Sequence, residues 1–361
     1  MSEISSFCVG SCGIRASWSS AYPTASATSS ASYVCTTPTP GVCDVNYPPY
    51  AINNVKGPLA VAAISPNVTH ADGTLEYDMY NLWGHGILKA TYNALSAISP
   101  GVRPFILGRL IFAGSGSYTA HWGGDNWSNW LSMIFSIPNH NIIGAISQEV
   151  YRWSSVIDAS KTAMAIRYQL LPYMYTLFYH AYTKAETVMR ALAWEFPYDL
   201  SLANADRQFM LANTTIPAPL GHIPVYARGG SVLPLQQAAL TTRDVRNSPW
   251  DILVVLAKDG SATGKLYLDD GVSVTPDATL YAEFKVENRK LETIIEYGGW
   301  VEENSLRNVT IWGVEKTKSL IKFNGKVVPA KNVHFNGDKY TLVISLSSAS
   351  AWTGNGWSLE W

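Results

Sequence analysis

Two periodicities divide the chain. Between Leu82 and Ser96, Ile87, Leu88, Tyr92 and Leu95 recur at three- and four-residue spacing, which predicts a helix with those side chains on its buried face. The same spacing links Met164, Tyr168, Leu171, Tyr175 and Phe178 and predicts a long helix over 154–184, with that stripe in the core and Pro172 kinking or dividing it. Ser128 to Phe135 reads as a further helix. From about Leu280 to Trp361 the period falls to two, as in Thr293–Tyr297, Val309–Trp312 and Leu342–Leu346, and predicts strands. Asn324-Gly325 and Asn336-Gly337 punctuate them as hairpin turns. Arg103 to Gly108 is a short apolar run after proline and reads as a buried strand, with Arg109 at its carboxyl end. Residues 14–52 are rich in Ser, Thr, Ala and Pro and read as a long loop.

Composition narrows the class. The chain has 361 residues, 47% hydrophobic and 15% charged, enough for two or three globular domains. A formal net charge of -1 gives no reason to expect a nucleic-acid or membrane partner, and no apolar run has the length of a bilayer span. The four cysteines, Cys8, Cys12, Cys35 and Cys43, lack zinc-site spacing and predict disulfides made in an oxidising compartment. The sequons at Asn67, Asn126, Asn213 and Asn308 point the same way. No signal peptide opens the chain.

The candidate chemistry lies in Gly108–Asn126. One carboxylate, Asp125, follows two glycines and stands between Trp122 and Trp127, whose flat faces suit sugar rings. Arg109, upstream, carries a fork of donors for hydroxyls or a carboxylate. Composition alone also fits a glycine-rich loop with one solvated aspartate.

Arg109, Phe112, Ala113, Gly114, Gly116, Tyr118, His121, Trp122, Gly124, Asp125 and Asn126 match the acid/base segment of glycoside hydrolase family 31, the α-glucosidases. The chain resembles that family, above all its secreted fungal members, along nearly its whole length. Asn81-Leu82-Trp83-Gly84, with Tyr80 in place of a histidine, Ser147–Trp153, His222–Pro234 and Leu266–Gly271 match other family segments. The resemblance implies a retaining α-glucosidase that hydrolyses terminal α-linked glucose from maltose-like oligosaccharides without cofactor or metal. Asp125 would be the general acid/base, and Arg109, Trp122 and His140 would line the sugar subsite.

The resemblance also implies a fold: the carboxyl-terminal half of a (β/α)8 TIM barrel over 1–185, a shortened proximal β-sandwich over 186–245 and a distal β-sandwich over 246–361. Met1 falls on the family's methionine just after the nucleophilic aspartate. On that reading the nucleophile lies immediately before Met1, Glu3 is the carboxylate near its place, and the 361-residue chain is expected to turn over α-glucosides poorly. A signal peptide would then belong to the missing part of a secreted, full-length relative. Two internal joins, at Pro138/Asn139 and Ala212/Asn213, bring together segments that the family keeps apart. Asp269-Asp270 reads as a polar hairpin turn rather than a metal pair, and Arg228 as a partner within a β-sandwich. The competing classes are a non-catalytic carbohydrate-binding fragment, an α-xylosidase of the same family, and a mistaken gene product without a stable fold.

Overall fold

A computed structural model describes residues 64, 66, 68–122, 151, 154–202, 205, 208–211, 214–217, 226–317, 320–349, 352 and 356–361. The chain separates into two compact units, Met1–Trp122 and Gly123–Trp361. The long loop predicted over 14–52, the helix predicted over 128–135 and all four cysteines fall outside the described residues.

In the first unit a short helix α1 (Glu76–Met79) leads into α2 (Trp83–Ile98), close to the predicted bounds. Its buried face differs from the predicted one. Gly84 and Leu88 are buried, whereas Ile87 and Leu95 are exposed. The reason is contact with the strand that follows. A Cβ on Gly84 would overlap the Leu110 carbonyl oxygen, and one on Gly108 would meet Leu88 Cδ1 at 2.7 Å. Two glycines thus let helix and strand backbones close up, and hydrophobicity cannot signal a face made by glycine. Strand β1 (Leu107–Gly108) pairs in parallel with β2 (Ala120–His121), in the register Leu107↔Ala120 and Gly108↔His121. Ile106 and Gly108 are buried, but Phe105 is 85% exposed, so the run alternates instead of being buried throughout.

In the second unit the long helical stretch is divided, as its proline predicts. Helix α3 (Ser154–Gln169) is separated by the single residue Leu170 from α4 (Leu171–Lys184), which carries Pro172 in its first turn. The buried face of α4 is rotated from the predicted stripe: Tyr173, Thr176, Leu177 and His180 are buried, and Phe178 is exposed. Tyr173 and Leu177 pack with Leu211 and Leu233, and the Thr176 hydroxyl accepts the Tyr267 N–H. Beyond β3 (Met189–Ala191) comes the short helix α5 (Leu192–Glu195). Strand β3 then pairs with β4 (Gln208–Leu211), and β4 with β5 (Thr214–Pro217), as a three-stranded antiparallel sheet.

The remaining strands make one eleven-stranded sheet. They are β6 (Ser231–Gln236), β7 (Trp250–Val255), β8 (Ala262–Leu268), β9 (Thr279–Glu287), β10 (Lys290–Gly298), β11 (Leu306–Trp312), β12 (Lys322–Phe323), β13 (Lys326–Val327), β14 (Val333–Asn336), β15 (Thr341–Ala349) and β16 (Ser358–Glu360), in the order β13-β12-β16-β10-β9-β8-β6-β7-β11-β15-β14. Alternate residues along β9 (Leu280, Ala282, Phe284 and Val286) are buried with inward residues of β7, β10, β11 and β15, including Ile252, Leu291, Ile311 and Ile344, in a single core. The sheet curls around that core. Where two separate β-sandwiches were expected, the described strands after residue 230 share one continuous sheet, and β6, which lies within 186–245, hydrogen-bonds to β7. Asn324 and Gly325, both with positive φ, turn β12 into β13 as predicted, and the Asn336-Gly337 turn joins β14 to β15.

Candidate active site

The parallel pairing of β1 and β2 makes both strands end on the same side. Each strand hands over at once to a residue singled out by the sequence: Arg109 follows β1 and Trp122 follows β2. Backbone bonds fix the closure, with Ala120 N–H donating to Ile106 O (3.0 Å) and Trp122 N–H donating to Gly108 O (3.1 Å). The Arg109 guanidinium lies 5.6 Å from the Trp122 ring centroid. Both side chains are half-buried. A cation beside an indole offers a flat apolar surface and a set of hydrogen-bond donors at one point. A pyranose ring, apolar on its faces and hydroxylated at its rim, has the complementary chemistry. Functional groups gather at the carboxyl ends of strands in βα barrels.

The other sequence-predicted site residues, Asp125, His140 and Glu3, lie outside the described residues. Asp125 is three residues beyond Trp122 in the chain.

Between the strands, residues 109–119 form a loop with Gly114 at φ 90° and a turn of 3-10 helix over Ser115–Ser117. Most of the loop is exposed, but Ser115 is 1% exposed. Its Oγ accepts the Phe112 N–H at 2.9 Å and lies 2.9 Å from His85 Nδ1. Just upstream, buried Glu76 holds His70 Nε2 at 2.7 Å. Burial, reinforced by the Glu76 charge, raises the pKa of Tyr80, the residue that replaces the family's histidine. The sequence reading missed the His85–Ser115 and His70–Glu76 pairs. Each is remote or loosely spaced in sequence, and only the fold brings its members together.

A second polar group lies in the larger unit. The Tyr175 and Tyr267 hydroxyls both donate to the Asp269 carboxylate, which also accepts the Gly271 N–H at 2.8 Å. Tyr179 stacks on Tyr267 with centroids 3.7 Å apart. Burial, and next the Asp269 charge, push the Tyr267 hydroxyl well above the usual phenol range. Asp270 is exposed and accepts the N–H groups of Val272 and Ser273, so it has the predicted turn role. Asp269 shares that role through the Gly271 N–H and is in addition buried under α4 as an acceptor for tyrosines. Among the described residues no group of three or more His, Cys, Asp or Glu is placed to hold a metal, and no helix is long and apolar enough to cross a membrane.

Two further readings change in the fold. Arg228 lies over the Phe196 ring, 5.3 Å from its centroid. Asn308, one of the sequons, sits inside β11, where its amide donates to Asp251 Oδ1 and its Oδ1 accepts from Ser345. A glycan on that nitrogen would have to break this arrangement, so this sequon does not support a secreted glycoprotein.

The chain belongs to glycosyl hydrolase family 31: the family's TIM-barrel domain matches residues 1–140 and 138–177. It is similar to the alpha-glucosidase of Aspergillus niger, 39% identical over 497 aligned residues that cover 100% of this chain and 50% of that protein. It is likewise similar to glucoamylase 1 of Schwanniomyces occidentalis, at 34% identity over 96% of this chain and 49% of the relative. Among solved structures, the glucosidase II alpha subunit aligns with a TM-score of 0.67 at 20% identity, covering 86% of this chain and 45% of that one. The family 31 alpha-glucosidase from Bacteroides thetaiotaomicron aligns with a TM-score of 0.53 at 25% identity, covering 64% and 51%. The chain spans about half the length of the curated relatives it matches. The 497 aligned positions exceed its 361 residues by 136, so the relative carries internal segments that this chain lacks. The two family matches meet at residues 138–140, where the sequence places its first join.

Proposed function

We propose that this chain contributes to an α-glucosidase of the retaining type, acting on terminal α-linked glucose of maltose-like oligosaccharides. The observation that carries the reading is the meeting of Arg109 and Trp122 at the carboxyl ends of two parallel strands, three residues before Asp125. Trp122 stacks on the glucosyl ring, and Arg109 donates to its hydroxyls. Asp125 protonates the departing glycosidic oxygen and then takes a proton from the attacking water, and His140 completes the subsite. A retaining reaction needs a second carboxylate about 5–5.5 Å from the first. Glu3 is the carboxylate that this chain carries in the stretch resembling the family's nucleophile segment. The chemistry is proton transfer and carboxylate attack, which needs no metal or organic cofactor.

We assign the three-stranded and eleven-stranded sheets to the β-sandwich part of the family pattern, with β6 of the expected proximal segment entering the larger sheet. The cysteine cluster supports a secreted protein. Titration of the protein with maltose, followed by tryptophan fluorescence, tests the binding half of the proposal. Trp122→Ala and Arg109→Ala each weaken binding by about tenfold or more, the scale of a lost aromatic or charge-assisted contact. Unchanged affinity in both variants refutes the assignment.

A further inference from the structure

The segment that joins Arg109 to Trp122 is held from within by one turn, in which the Ser115 carbonyl accepts the Tyr118 and Thr119 N–H groups, and by the Thr119 hydroxyl on Ile106 O. It contains Gly114 and Gly116, its residues 111–117 are exposed apart from Ser115, and the strand pair that closes it is two residues long. Glycines enlarge the set of conformations that ordering must exclude. Further restraint comes from α2. His85 Nδ1 meets Ser115 Oγ at 2.9 Å, and the His85 ring meets the Tyr118 ring edge-on at 5.6 Å. Tyr92 also meets Tyr118 edge-on at 5.6 Å, and Lys89 Nζ lies 5.9 Å from the same ring centroid. Positions 85, 89 and 92 follow i, i+4 and i+7 spacing and form one helical face. Within the segment the Ser115 hydroxyl oxygen accepts the Phe112 N–H, and the Phe112 carbonyl accepts the Ser115 N–H at 2.9 Å. Ser115 is thus a buried knot, and His85 ties that knot to a helix whose backbone is pressed against the strand by Gly84 and Gly108.

We propose that His85 is a positioning residue: through Ser115 it holds the 109–122 segment so that Arg109 and Trp122 face each other. This rests on the reading of that pair as the sugar subsite. His85 touches neither residue in the arrangement described and takes no part in proton transfer. Its contribution is to lower the entropy the segment must lose when sugar binds.

Hydrogen exchange, read by mass spectrometry over residues 106–122, tests the anchoring directly in the full chain. His85→Ala and Ser115→Ala each speed exchange of this segment by about fivefold to tenfold, the range one buried hydrogen bond carries. The double variant falls well short of the product of the single effects, because the two share the His85–Ser115 bond, although Ser115→Ala also frees the Phe112 N–H and His85→Ala also loses the Tyr118 ring contact. His85→Asn, whose amide takes the place of Nδ1, restores protection. Exchange in β9 is unaltered throughout, which separates local anchoring from general loosening. Maltose affinity follows the same pattern in the same variants. Unchanged exchange in His85→Ala, effects that multiply in the double variant, or failure of His85→Asn to restore protection overturns the proposal. If the unmodified protein binds no maltose, the sugar-subsite reading fails and the exchange pattern alone decides whether His85 anchors the segment.

Discussion

Gly84 and Gly86 occupy the same turn of α2, yet they answer to different forces. A Cβ at position 84 would run into the Leu110 backbone carbonyl, which cannot rotate away, whereas one at 86 meets nothing within 4 Å. Alanine favours a helix interior by about 0.8–1 kcal/mol over glycine. Overpacking against fixed atoms costs about 1–3 kcal/mol. Gly86→Ala therefore raises the denaturant midpoint, and Gly84→Ala lowers it despite its better propensity. Urea titrations of the two variants check this, and stabilisation by both would remove the close approach from the account. The same pair shows what was legible residue by residue. Asp125, Arg109 and Trp122 stand out in sequence because their types and spacing carry chemistry. Gly84, Ser115 and His85 do not, because a small residue or a lone hydroxyl becomes informative only when something is packed against it.

Among the elements, α4 shows why a period is easier to read than a face. Its helical spacing and the break at Pro172 were readable, but the stripe of largest side chains is not the buried one. The buried face includes Thr176, which accepts a strand N–H, and His180, whose Nε2 lies 3.4 Å from the Tyr281 hydroxyl. Polar residues can face a core when the opposing strand supplies their partners, and the helix sequence alone does not record that. Asp269 is the same case from the other side, a turn-like Asp-Asp-Gly whose first carboxylate is roofed by tyrosines.

His180 also gives α4 a pH dependence. Burial lowers its pKa, with Lys184 and Lys265 acting in the same direction and Glu186, 3.8 Å away, opposing them. The folded state therefore refuses a proton that the unfolded chain accepts near its ordinary value of about 6.5. Above that value His180 is neutral in both states and costs nothing. As the pH falls below it, stability is lost until the folded-state value is passed. Between about pH 7.5 and about pH 5.5 the unmodified protein loses more stability than His180→Gln, measured by urea midpoints. Equal losses would mean that His180 titrates as an exposed imidazole.

For the molecule as a whole, the family pattern resolved more than periodicity did. It identified the barrel segment, singled out Arg109 and Trp122, which the fold brings together, and placed a join where the two family matches meet. It did not foresee that β6 would enter the larger sheet, because a strand's neighbours are fixed by long-range pairing that no local pattern encodes. The alignment with the Aspergillus niger relative is longer than this chain, so internal segments of that relative are absent here, and Arg109 and Trp122 meet in the chain as it stands. The account therefore stands on the role of the carboxylate three residues beyond Trp122. A general acid matters most when the leaving group is a poor one. The direct measurement is kcat/KM on maltose and on 4-nitrophenyl α-glucoside, with and without Asp125→Asn, in a full-length form that carries this chain's sequence together with the family's nucleophile. Asp125→Asn is predicted to lose at least about a hundredfold on maltose and much less on the nitrophenyl glucoside, whose leaving group needs little protonation. Equal losses on both substrates, or maltose hydrolysis unchanged by the substitution, would contradict Asp125 as the acid/base.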